Sequence, residues 1–219
     1  RHFLFSVMNQ EPMDFMFTKE IVLENSRALL QSLQPGDTEK LEAVATADID
    51  LVQYSPYQIH TPDLLAAYIQ QSLAERAAGF RYAFVVFDKA HQAWAGSTSL
   101  ANVSNKDRRL EIGWTWIGKS FQATGLNRAC KALLLSFAFD ELEFERVEFK
   151  TDARNSASRN AIEKIGGVYE GALRSHTLML DGFRRDTVYY SILRNEWPRL
   201  KQSVFKEWFQ NLVTTGMDK

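Results

Sequence analysis

Apolar and polar positions alternate along this chain in two rhythms. Residues 144–151 set Val147 and Phe149 against Arg146, Glu148 and Lys150, the two-residue period of a half-exposed strand. Residues 126–142 gather Leu133, Leu134, Phe137 and Ala138 on one side, the stripe of an amphipathic helix. Three further strands are expected at 81–87, 94–103 and 110–117. They are joined by Asp88-Lys89-Ala90-His91 and by Ser104-Asn105-Lys106-Asp107. An early strand over 21–33 stops at Gln34-Pro35-Gly36-Asp37, and a short helix follows over 37–44. Thr61-Pro62-Asp63 reads as a helix cap with proline in the first turn, opening a helix over 64–78 that Gly79 ends. A second helix over 155–165 is stopped by Gly166-Gly167. Strands over 168–174 and 183–193 close the pattern through a turn at Asp181-Gly182. This order predicts an α+β fold with a mixed sheet flanked by helices. Trp197, Leu200, Val204, Trp208 and Leu212 then recur at helical spacing. They predict a C-terminal amphipathic helix within 196–219, packed on the domain or, alternatively, forming a dimer face.

Composition narrows the class. With 219 residues, 45% of them hydrophobic, the chain can fill one core, and a single domain over 14–195 is expected. Arg1 in place of methionine predicts a processed start, and residues 1–13 are expected to be disordered or foreign to the fold. A net charge of −1 shows no sign of the concentrated basic face of a nucleic-acid binder. No apolar run approaches the length of a membrane span, and the N-terminus lacks the pattern of a secretory signal. Cys130, the single cysteine, allows no internal disulfide and fits a reducing, cytoplasmic compartment. It sits among apolar helical positions with no base nearby in sequence, so a buried inert thiol is expected.

Two loop-to-helix junctions carry the candidate chemistry. Phe121-Gln122-Ala123-Thr124-Gly125-Leu126-Asn127-Arg128 lies between a strand and a long helix. A helix start offers free N–H groups and a positive dipole end, which suit a phosphate, and Gly125 lets the backbone approach it closely. Arg128 and Lys131 add positive charge. Taken alone, the segment serves equally well as an ordinary turn. Asn155-Ser156-Ala157-Ser158 also follows a strand and opens a helix, with Asn155 a natural cap and Ser158 able to share in it. Capping alone also accounts for these two.

Together with their neighbours these blocks resemble the GNAT acetyltransferases, in particular the RimJ/RimL-like branch. The resemblance runs over about residues 20–197. Leu110-Glu111-Ile112-Gly113-Trp114-Thr115-Trp116 is similar to that branch's central strand, and Gln122 to Asn127 to its pyrophosphate loop. Asn155 and Ser158, continuing to Glu163-Lys164-Ile165-Gly166, resemble its following helix, and Asp181-Gly182-Phe183-Arg184-Arg185-Asp186-Thr187 resembles its final hairpin. Asn127 departs from the pattern by replacing a small residue, which predicts a modest change of loop geometry.

The resemblance implies a V-shaped splay between two parallel strands, here 110–117 and 144–151, with acetyl-CoA lying in it as co-substrate. The pyrophosphate would meet the amides of Gln122, Ala123, Thr124, Gly125, Leu126 and Asn127, with Arg128 beside them. A backbone N–H near Trp114, Thr115 and Trp116 would meet the thioester oxygen. Asn155 would bind the pantetheine amide, and Ser158 would protonate or bond the departing thiolate. An amine attacks only when neutral, so a base is needed. Glu111 is the first candidate and His176 the second, since imidazole titrates near neutrality. Trp114, Trp116 and Tyr57 could line the acceptor pocket, although core packing serves the tryptophans as well. Arg185 and Asp186 are expected to form a structural pair. No metal and no covalent intermediate are required. The acceptor would be a protein N-terminal amine; the alternatives are a small amine or antibiotic, a non-catalytic acyl-CoA-binding module, or a partner-binding protein using the C-terminal face.

Overall fold

The computed structural model describes residues 13–209. The segment set aside at the N-terminus thus lies almost wholly outside the described residues, as does Leu212. Eight strands form one sheet: β1 (Val22–Glu24), β2 (Ala28–Ser32), β3 (Arg81–Asp88), β4 (Ala93–Ser104), β5 (Arg109–Ile117), β6 (Arg146–Asp152), β7 (Val168–Leu178) and β8 (Arg184–Leu193). Their order is β1-β2-β3-β4-β5-β6-β8-β7. Every neighbouring pair is antiparallel except β5 with β6. The α+β class and the mixed, mostly antiparallel sheet are therefore as expected.

Helices cover both faces. α1 (Thr38–Ala45) and α2 (Pro62–Ala77) pack on β3 and β4. Leu41, Leu65, Ile69, Val85 and Trp116 form the core on that side. α3 (Leu126–Ser136) and α4 (Ser156–Lys164) lie on the other face, over a larger core that holds Tyr82, Phe84, Leu110, Ile112, Leu134, Phe149 and Ile162. β3 is buried on both faces, so it reads as a continuous apolar run and feeds alternate residues to the two cores. Thr61 caps α2 by accepting the Leu64 N–H at 3.2 Å, with Pro62 at its first position.

Four elements differ from the sequence reading. Residues 21–33 form a hairpin, because Asn25 Oδ1 accepts the N–H groups of Arg27 and Ala28 and turns the chain back. The helix begun at Leu126 leaves α geometry at Phe137–Glu141, a wider turn. β7 runs on to Leu178 past an irregularity where Ser175 adopts φ 52°. The C-terminal apolar repeat is broken at Ser203 into α5 (Trp197–Gln202) and α6 (Lys206–Phe209). Trp197, Leu200 and Phe205 are nonetheless buried in the domain's core.

Candidate active site

The parallel pair is short. β5 meets β6 only at Arg109–Arg146, Leu110–Val147 and Glu111–Glu148, although β5 continues to Ile117 and β6 to Asp152. Beyond Glu111 and Glu148 the strands part, and the facing edges of 112–117 and 149–152 no longer bond each other. Backbone polar groups need partners, so this wedge suits something that hydrogen-bonds like a strand.

A bulge shapes one wall. Between the pairs Ser99–Gly113 and Ser97–Trp116, β4 supplies one residue and β5 supplies two, Trp114 and Thr115. Trp114 takes φ 47°, unusual for a bulky side chain. The extra residue shifts the side-chain alternation. Leu110 and Ile112 face α3, and so does Thr115, whereas Trp116 joins the α2 core. Trp114 packs edge-on to Phe80, 5.9 Å between rings, and lies under the Arg81 guanidinium. Trp116 packs against Tyr68, which also meets the half-buried Tyr57. Burial, with the Tyr68 phenol beside it, pushes the Tyr57 pKa up.

At the end of β5 the chain makes the turn that opens α3. Ala123 has φ 59° and Gly125 has φ 91°. Left-handed residues in such a turn aim N–H groups toward one side, the geometry of anion-binding nests. Among the described residues, no backbone or side-chain acceptor meets the N–H groups of Ala123, Thr124 and Gly125, and those of Leu126 and Asn127 lie in the first helical turn, where none is provided. A Cβ on Gly125 would meet no atom within 4 Å, so the space above it is open. The Gln122 amide and side chain are spent on the turn itself, on the carbonyls of Lys119 and Ile117. Arg128 points elsewhere, bonding Glu207 at 2.8 Å and stacking over Trp208. At the opposite junction, Asn155 Oδ1 accepts the Ser158 N–H at 3.0 Å and caps α4, and among the described residues the Asn155 NH₂ group and the Ser158 hydroxyl are unspent.

The two base candidates share the sheet face that α1 and α2 leave uncovered. Glu111 is buried, bonded by Lys150 Nζ at 2.8 Å and Asn102 Nδ2 at 2.6 Å. Burial disfavours the Lys150 ammonium, but the Glu111 carboxylate outweighs it and holds that pKa above the ordinary lysine range. Lys150 lies over the Tyr189 ring, and Tyr189 lies 6.1 Å from the ring of His176. His176 is exposed and has Nδ1 3.0 Å from Thr187 Oγ1. Arg185 donates to Thr187 Oγ1 and to the Tyr54 carbonyl, while Asp186 accepts the Ser175 N–H. Arg185 and Asp186 therefore do not form the expected pair: consecutive strand residues point to opposite faces. The cavity lined by Met13, Phe15, Leu23, Phe137 and Leu142 lies toward the C-terminal end of α3, away from the turn at its start. Among the described residues no group of His, Cys, Asp and Glu could hold a metal ion, and no helix is long and apolar enough to cross a membrane.

A splayed parallel pair, a bulged strand and an amide-rich turn before a helix have a counterpart among known proteins. The family profile described as an acetyltransferase (GNAT) domain matches residues 27–168. The chain belongs to the GNAT family of acyl-CoA-dependent acetyltransferases. "Putative ribosomal N-acetyltransferase YdaF" of Bacillus subtilis (strain 168) is 40% identical over 102 residues, 47% of this chain and 55% of that protein. The chain thus spans about half the length of this curated relative. A GCN5-related N-acetyltransferase from Brucella melitensis shares the fold with a TM-score of 0.82 at 24% identity, over 96% of this chain and 95% of its own. Mycobacterium smegmatis RimJ, in complex with CoA-disulfide, does so with a TM-score of 0.71 at 21% identity, over 86% and 94%. At that identity the likeness to RimJ is one of fold.

The folded chain thus gathers Trp114, Thr115 and Trp116 with the turn 122–127 along one strand and its exit, and puts Asn155 and Ser158 at the end of the neighbouring strand. Lys150 and Asn102, which grip Glu111, were not identifiable as site residues. Nothing short of the strand register sets three residues so far apart in sequence side by side.

Proposed function

We propose that this chain transfers an acetyl group from acetyl-CoA to a primary amine by direct attack, the acceptor being a protein N-terminal amine. The observation that carries the reading is the wedge between β5 and β6, with an amide-rich turn at its end. The pantetheine would extend along β5 as an added strand. The diphosphate would lie on the N–H groups of the turn 122–127. An N–H near the bulge would stabilise the oxyanion that forms when the amine attacks. The Asn155 amide would meet the pantetheine, and the Ser158 hydroxyl would give its proton to the departing thiolate.

The attacking amine must shed a proton. An α-amine, with a pKa of about 8, does this more readily than a lysine at about 10.4. Glu111 accepts that proton directly or through water with the lone pairs that Lys150 and Asn102 leave free. His176 is the second base on the same face, with Nε2 unspent among the described residues. The name of YdaF supports a protein acceptor, and CoA-disulfide bound to RimJ supports the donor.

Release of free thiol from acetyl-CoA is the test, run against N-terminal peptides, small amines and antibiotics, with CoA affinity measured by calorimetry alongside. Turnover of peptides supports the reading. Turnover of small amines alone replaces the acceptor. CoA binding without turnover of anything in the panel favours a binding module, and no affinity for CoA removes the donor.

A further inference from the structure

The inward side of α3 carries a cation that the proposed mechanism leaves unused. Lys131 is 6% exposed, and its Nζ donates to Thr115 Oγ1 at 2.9 Å. That hydroxyl lies 2.8 Å from Thr98 Oγ1, so the ammonium ends in hydroxyls. Among the described residues no carboxylate comes within ion-pair distance of it. Cys130, its neighbour, stays neutral because burial pushes the thiol up to about 12. Asp88 and Arg27, which act on Cys130, pair with each other at 3.0 Å. Glu111, on β5, points to the other face of the sheet and is taken by Lys150. The described residues thus supply no counter-charge, and burial pulls the Lys131 pKa down to about 8.

A buried ammonium without an anion is costly, and the cost is relieved when an anion arrives. Long side chains on a helix lean toward its N-terminus, so Lys131 is directed back toward the turn 122–127. The N–H donors that Lys131 keeps beyond the one given to Thr115 therefore continue the amide-rich turn inward along α3.

We propose that Lys131 binds the diphosphate of CoA, its ammonium meeting there the counter-charge that the described residues do not supply. The inference rests on CoA being the donor. Binding then fixes the proton on Lys131, so the protein takes up protons as the ligand enters. Calorimetry at about pH 8, where Lys131 is half deprotonated, in two buffers of different ionisation enthalpy counts those protons. CoA and ADP are each expected to bring about half a proton, and pantetheine none. Lys131→Met should weaken CoA about tenfold and abolish the uptake. Lys131→Arg should keep most of the affinity with no uptake, because a guanidinium does not titrate there. Proton uptake with pantetheine but not ADP overturns the assignment, as does Lys131→Met binding CoA like the wild type. If that variant does not fold, the wild-type proton count and Lys131→Arg decide alone. A wild-type chain that ignores CoA overturns the donor reading itself.

Discussion

Gly125 holds φ at 91° where β5 gives way to α3, in open space. An alanine there would be opposed by its own backbone, by about 1–2 kcal/mol, and by nothing around it. Gly125→Ala is therefore expected to relax the turn, weakening CoA binding by several-fold while the melting temperature falls only slightly. Calorimetry and thermal melts check this, and unchanged affinity would take the turn out of the donor site. Cys130 tests the opposite property. Its buried thiol, with a pKa pushed up to about 12, should resist a thiol reagent at neutral pH until the chain is unfolded. Rapid labelling of the folded protein would contradict both its burial and its inertness. The sequence already suggested each role, because glycine at a helix entry and cysteine among apolar helical positions are local signals.

At the scale of elements, the bulge in β5 and the splay beside it matter most. Glu111 sits at the last paired position before the strands part, so its carboxylate lies at the root of the wedge. Glu111→Gln keeps an acceptor for Asn102 but loses the proton affinity of a carboxylate. Its kcat should fall by about 10²-fold or more, with CoA affinity within about twofold. A kcat within about threefold of wild type would pass the role to His176. Periodicity correctly read residues 110–117 as a strand, yet it could not place the extra residue at Trp114. Without the bulge, Thr115 would face α2 and Lys131 would lose the Thr115 hydroxyl it donates to. The hairpin at Asn25 was missed for a related reason. Its turn is made by the Asn25 side-chain oxygen within the polar stretch Glu24-Asn25-Ser26-Arg27, with no glycine or proline to mark it.

For the whole molecule, the C-terminal segment, as far as residue 209, packs on the domain that it follows. Trp197 donates its indole N–H to Asp140 at 3.0 Å, and Arg128 on α3 meets Glu207 on α6. Leu200 fills the space above the turn between α4 and β7. A Cβ built on Gly166 would stand 2.5 Å from Leu200 Cδ2, at φ 97°. Gly166→Ala is therefore expected to destabilise the fold by about 2 kcal/mol or more, from overpacking and backbone strain together. Leu200→Ala should cost stability by itself, and the double variant should cost less than the sum, because the collision disappears. Urea denaturation of the four proteins reads this out, and strict additivity would mean that the segment does not press on Gly166.

The amino-acid sequence determined which stretches become strands and helices, where α2 is capped, and which junctions could bind an anion. These properties depend on neighbours a few residues apart, and local patterns encode them. Only the tertiary structure decided the parting of β5 from β6 after three pairs, the grip of Lys150 and Asn102 on Glu111, and the isolation of Lys131. Each depends on strand register and on helix placement over the sheet. These bring together residues far apart in the chain, and no spacing along it specifies which charges will meet and which will be buried alone.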